Sequence, residues 1–146
     1  ILASEDVGNA DPHALPLAVA CAQACEMIGL PECQLNLAQT VTYLASAPKS
    51  NAVTNAIFAA RSDVQKGESV PVPKHLCDAH YSGSQKLGHV GYQYAHDFPD
   101  AIAPQDYLGV DRRYYFPTQR GEEAQIAERL DFIRARRKWR DEKREK

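Results

Sequence analysis

Four of the five histidines of this chain, His75, His80, His89 and His96, crowd into one stretch. Imidazole is the side chain whose proton moves near neutral pH, so acid–base chemistry would sit here, and His96-Asp97 is the best-placed pair. The same stretch offers metal ligands: His75, Cys77 and His80 lie within six residues, with His96 as a fourth group. A catalytic pair is defined by geometry rather than adjacency, however, and a hydrogen-bonded structural histidine is the commoner case. Cys21, Cys25, Cys33 and Cys77 lack the paired spacing of a zinc ribbon. Three of them fall in apolar, helix-like stretches and read as small buried hydrophobes, Cys21 and Cys25 sharing a helix face.

Anion chemistry has two candidate locations. Lys49-Ser50-Asn51 stands at the head of a helical pattern, where free backbone N–H groups and a Lys suit a phosphate. The plainer reading is a capped helix with its Lys in water. Arg112 and Arg113 precede Tyr114 and Tyr115, a pairing of charge with aromatic faces that also occurs in nucleic-acid grooves; packing at an interface is its more frequent use. Lys49, Ser50, Arg112 and Arg113 are therefore the nucleic-acid candidates. No glycine-rich phosphate loop with its Lys, nucleophile elbow, zinc-protease helix or dinucleotide turn occurs. No catalytic, cofactor-binding or metal residue is assigned, and the chain is not expected to hydrolyse ATP by itself.

The net charge of −2 hides an asymmetry. Residues 134–146 hold eight Lys/Arg against three Asp/Glu, leaving an acidic body with nine against sixteen. Such a basic tail can meet phosphate, although a solvated helix end has the same composition. No apolar run approaches a membrane span and no export signal is evident, so a cytoplasmic protein is expected. Ile1-Leu2-Ala3 reads as the tail of a helix belonging to a longer protein.

These groups must be positioned by helices. Asp11-Pro12 reads as a start, and Leu17, Cys21, Ala24, Cys25 and Ile28 recur at helical spacing. Leu15, Ala18, Val19 and Ala22 make this helix apolar nearly all round, so it is expected at the centre of the core. Gly29, Leu30 and Pro31 follow as cap, apolar clasp and breaker. A second helix over 32–47 carries Leu37, Val41 and Leu44, and a third, capped by Ser50 and ending near Gly67, carries Val53, Ile57, Ala60 and Val64. Short connections imply an antiparallel bundle.

Residues 67–120 lose the helical period but hold eight of the twelve aromatics, too many for a disordered segment. Rings with polar tips suit an interface, and Tyr92, Tyr94, Phe98, Tyr107, Tyr114, Tyr115 and Phe116 are the interface candidates. A last helix begins near Gly121, with Glu122 and Glu123 favourable to its dipole and Ile126, Leu130 and Ile133 as its stripe. The organisation is thus all-α: a helical core over 1–66, an irregular wrapping segment of the same domain over 67–120, and a C-terminal helix with a basic end over 121–146.

The strings SEDVGNADP (Ser4 to Pro12), LAQTVTYLASAPKSNAV (Leu37 to Val53), HLCDAHY (His75 to Tyr81), KLGH (Lys86 to His89), YQYAHD (Tyr92 to Asp97) and RRYYFPTQRG (Arg112 to Gly121) resemble the C-terminal region of the replication-associated recombination AAA+ ATPases, whose relatives include the eukaryotic Werner-interacting ATPase. The resemblance covers nearly the whole chain except the basic tail. It implies a helical-bundle oligomerisation domain, collar-like as in clamp loaders, that assembles tetramers. ATP and Mg would belong to an N-terminal module, and DNA and single-strand binding protein would be partners of the full-length protein. The family pattern departs from this chain in having a basic residue at Cys77, Pro at Ala95 and glycines near Asp100 and Ala101. Two other readings stand beside it: a DNA-binding module using Lys49, Arg112, Arg113 and the basic tail, and a small metal-dependent enzyme using His75, Cys77, His80 and His96.

Overall fold

The computed structural model describes residues 1–68 and 70–144, side chains included through residue 137. Its chain divides into two compact units, one made of Ile1–Ser62 and Tyr114–Glu128, the other of Asp63–Arg113 and Arg129–Lys146. All regular structure among the described residues is helical, which bears out the all-α class. No helix among them is long and apolar enough to cross a membrane. The basic residues and Trp139 beyond position 137 contribute no described side chains.

The first unit opens with a π-helical turn, Ala3–Val7, followed by α1 (Ala14–Ile28), α2 (Gln34–Ser46) and α3 (Ala52–Gln65), whose last residues pass into the second unit. α1 starts three residues after Asp11, because Asp11 Oδ1 accepts the His13 N–H at 3.0 Å and closes a turn before the helix. It stops at Gly29, where φ is +76°, and Gly29 N–H donates to Cys25 O. A five-residue connection returns the chain, so α2 packs antiparallel on α1. Tyr43 OH, late in α2, donates to Asp11 Oδ2 at 2.6 Å and ties the open end of this hairpin.

The centre of the unit is built from small residues. Ala3, Val7 and Ala14 form the buried cluster, flanked by Ala18, Leu44 and Ala47. This corrects the expectation of a centrally buried α1, where only Ala14 and Cys21 are buried while Leu15, Val19, Met27 and Ile28 are exposed. A single antiparallel partner covers one stripe of a helix, and α3 packs on neither α1 nor α2 as they pack on each other. The expected three-helix bundle is thus a hairpin with a separate third helix. Leu37 and Val41 of α2 and Val53, Ile57 and Val64 of α3 remain exposed.

In the second unit, residues 70–113 run through short 3-10 turns at Lys74–Leu76, Ser84–Leu87, Ala95–Asp97 and Pro99–Ala101. Side chains take over the backbone pairing that a sheet would supply. Buried Gln105 accepts the Gln93 N–H at 3.0 Å and donates to Gln93 O at 2.9 Å, and buried Ser84 donates to Ala79 O. Ile102 and Ala103 are buried just before Gln105. Asp100 and Ala101 have φ of +60° and +53°, the left-handed region where a side chain is strained. The resemblance calls for glycines near these two positions. The last helix, α4 (Glu123–Arg144), starts in the first unit and continues into the second, where Arg136 pairs with Asp100 at 3.0 Å.

Candidate functional site

The most organised polar site of the first unit surrounds Glu123. Its carboxylate is completely buried, and its two oxygens accept four hydrogen bonds. Ser50 Oγ donates to Oε2 at 2.6 Å, Thr118 donates to the same oxygen from Oγ1 at 2.6 Å and from N at 2.8 Å, and Tyr115 OH donates to Oε1 at 2.9 Å. Burial pushes this carboxyl upward, but the hydrogen bonds from Ser50, Thr118 and Tyr115 outweigh it and leave the group below its ordinary value. Asn9 Nδ2 donates to Tyr115 OH at 3.1 Å.

Backbone contacts finish the junction. Ser50 N–H donates to Asp6 O, Glu122 N–H to Ala10 O and Arg120 Nη1 to Lys49 O. A Cβ on Gly121 would lie 2.0 Å from Ala10 O, so only glycine permits this approach. Three separate stretches, 6–10, 49–52 and 115–123, are therefore locked together around one anion. With no open side, the carboxylate is suited to holding chain segments rather than to exchanging protons with a substrate. Sequence reasoning placed Glu123 only in a helix's first turn; the available signal was a Thr shortly ahead of a Glu at a helix start.

The other candidate residues are dispersed. Lys49 Nζ donates to Leu44 O at 2.5 Å and Ala47 O at 2.8 Å, capping the carbonyl end of α2. Ser50 is buried against Glu123 and also accepts the Ala52 N–H at the start of α3. Arg112 forks onto Glu68, at 3.1 Å to the carboxylate and 2.8 Å to the carbonyl, and reaches Asp63 at 3.4 Å. Arg113 is exposed. Of the aromatic candidates, Tyr92, Tyr94, Tyr107 and Phe116 are exposed, and Phe98, Tyr114 and Tyr115 are half-buried.

The histidines do not converge either. His75 Nε2 meets Asp106 O at 2.7 Å, His80 Nδ1 meets Asp78 at 2.8 Å, His89 Nδ1 meets Tyr81 OH at 3.0 Å, and His96 lies against the Tyr94 ring. Among the described residues no three His, Cys, Asp or Glu are placed to hold a metal ion. Near the α1–α2 turn, burial and hydrogen bonding with Cys21 and Cys33 push the Cys25 thiol up to about 11, far from a reactive thiolate.

The family model described as MgsA AAA+ ATPase C terminal matches residues 1–134. An uncharacterised AAA domain-containing protein of Mycobacterium tuberculosis is 54% identical over 92% of the chain. The replication-associated recombination protein A of Coxiella burnetii is 45% identical over 91%, and that of Escherichia coli K12 is 41% identical over 90%. In each case the chain spans 31% of the relative's length. With the match running from the first turn into α4 and including the segments joined at Glu123, the chain belongs to the MgsA AAA+ ATPase C-terminal family.

Proposed function

We propose that this chain is the assembly module of a cytoplasmic, nucleoid-associated AAA+ ATPase acting in replication-associated recombination and repair, and that it holds four copies together. The observation that carries the reading is the distribution of apolar side chains. Small residues fill the centre of the first unit, while Met27 and Leu35 are 87% and 77% exposed and Val41, Ile57 and Phe58 are also largely open. Large side chains left in water along helices are what a second copy would cover. Exposed Tyr92, Tyr94, Tyr107 and Phe116, and half-buried Phe98, Tyr114 and Tyr115, supply further interface material.

Relatives named for replication-associated recombination support the setting. In this reading ATP and Mg²⁺ are handled by the part of the parent that the chain does not match, and DNA and single-strand binding protein are partners of the whole. Joining four motors raises the effective concentration of each DNA contact for the next. Light scattering of the chain at micromolar concentration, without nucleotide, is expected to give the mass of four copies in closed symmetry. A monomer there would remove the proposal.

A further inference from the structure

We infer that Cys25 and Cys33 form an oxidation site at the closed end of the α1–α2 hairpin, where a hydroperoxide converts the two thiols into a disulfide. The bridge would join the last turn of α1 to the start of α2. Cys25 lies in that last turn and Cys33 is the residue before α2, so one short connection separates them. Gly29 N–H donates to Cys25 O and Cys33 N–H donates to Gly29 O, which ties both ends of the connection to one residue. Cys25 Sγ comes within 3.9 Å of Cys33 O, and its thiol is hydrogen-bonded with Cys21 and Cys33. All are free thiols.

Position sets the order of events. Cys21 and Cys33 are buried while Cys25 is half-buried, so Cys25 is the thiol of the three that a peroxide reaches from solvent. Attack by the Cys25 thiolate breaks the O–O bond and leaves a sulfenic acid, and the released hydroxide takes up the thiol proton as water. Of the two neighbouring thiols, Cys21 stands one helical turn back on α1, where Cβ atoms are about 5–6 Å apart, and a disulfide needs about 3.5–4.5 Å. Cys33 lies beyond the turn and is free of that restraint. Its sulfur displaces the sulfenic oxygen, which leaves with the Cys33 proton as a second water. Two thiols and one peroxide thus become one disulfide and two waters, with both sulfurs oxidised and both peroxide oxygens reduced.

Burial and the two neighbouring thiols hold the Cys25 thiol up at about 11, so only about one in ten thousand is ionised at pH 7 and the first step is slow. The disulfide is slow to reopen for the same reason, because a basic thiol is a poor leaving group. The pair therefore records sustained peroxide rather than a brief pulse. Once closed, the bridge restricts the unfolded chain and stabilises the hairpin.

The test exposes the dilute, folded chain to hydrogen peroxide at neutral pH for hours, blocks the remaining thiols with iodoacetamide, and reads intact mass and the peptides cut after glutamate. Cleavage after Glu26 and Glu32 leaves Cys25 and Cys33 on different peptides. The native chain is expected to lose two hydrogen atoms, to yield the Cys25 peptide joined to the Cys33 peptide, and to melt several degrees higher, all reversed by dithiothreitol. C21A, which removes the other cysteine of the Cys25 peptide, should bridge as readily as the native chain. C33A should lose the bridge and gain oxygen atoms at Cys25 instead, and C25A, changed at a half-buried position, should lose the bridge with its fold intact. A native chain that gains oxygen at Cys25 without bridging, a bridge to Cys21 or Cys77 in place of Cys33, or a bridge that forms only in urea would each overturn the proposal.

Discussion

Ser50 and Glu123 lie 73 positions apart in the chain and share a 2.6 Å hydrogen bond inside the first unit, with the hydroxyl donating to the carboxylate. A buried carboxylate survives only where donors replace water, and here Thr118 and Tyr115 complete the set. Glu123→Gln keeps the shape but loses the charge-assisted character of these bonds, and should cost about 2–3 kcal/mol in urea unfolding. Ser50→Ala should cost about 1–2 kcal/mol, since three donors remain. A Glu123→Gln chain as stable as the parent would show that the junction does not carry the unit.

The same carboxylate gives the unit an acid sensitivity whose sign is fixed. Its folded value lies below the ordinary 4.5, because the donors outweigh burial. Its stabilising contribution is therefore fully present above pH 4.5 and is lost as the pH falls through the lower, folded value. Asp11 behaves alike: the Tyr43 hydroxyl, opposed by burial and helped by His13, holds it below 3.8. Melting temperatures between pH 6 and pH 3 should fall less steeply for Glu123→Gln than for the parent, and Tyr43→Phe should remove part of the remaining slope.

Gly121 makes a sharper prediction. It combines a φ of +53° with a backbone carbonyl where its Cβ would stand, and Pro48 Cγ lies only 2.8 Å from that point. Gly121→Ala must move the chain at the Ala10 crossing and should cost about 4 kcal/mol or more. Gly29, at φ +76° and ψ 178°, faces open space, so Gly29→Ala should cost only the backbone strain, about 1–3 kcal/mol. Equal losses in the two variants would contradict the close approach.

Ala101 presents the opposite case, a residue with a side chain held at φ +53°. Ala101→Gly relieves the left-handed strain but adds freedom to the unfolded chain, and the balance should favour the variant by about 0.5–1 kcal/mol. Asp100→Gly has the same backbone benefit but loses the ion pair to Arg136 and should gain less. Urea titrations of both variants check the order.

Helix positions could be read from the chain because spacing and breakers are local: Gly29 ends α1, Pro48 follows α2, and Ser50 caps the start of α3. Whether an apolar face is covered is not local. Val41 and Ile57 sit on good helical stripes, and nothing in the stripe records that the chain leaves them open. Only the Thr118–Glu123 spacing hinted at the Glu123 junction, because its donors at positions 50 and 115 are brought in by tertiary structure. Its donors Ser50, Tyr115 and Thr118, though not Glu123 itself, were nonetheless present in the strings that carried the family resemblance. Arg112 illustrates the converse, a cation chosen for its sequence neighbours that folding pairs with Asp63 and Glu68.

Met27 and Leu35 separate stability of the fold from assembly. Both side chains stand largely in water, so Met27→Glu and Leu35→Glu remove little buried surface and should change unfolding of the dilute, dissociated chain by no more than about 0.5 kcal/mol. If copies join over the α1–α2 hairpin, the same carboxylates would be buried without partners on assembly, at a cost of several kcal/mol for each copy. Light scattering of the double variant should then show monomers at concentrations where the parent is tetrameric, with unchanged circular dichroism. An intact tetramer in the double variant would move the contact to the exposed aromatic residues, because a glutamate at both positions is incompatible with a closely packed apolar joint there.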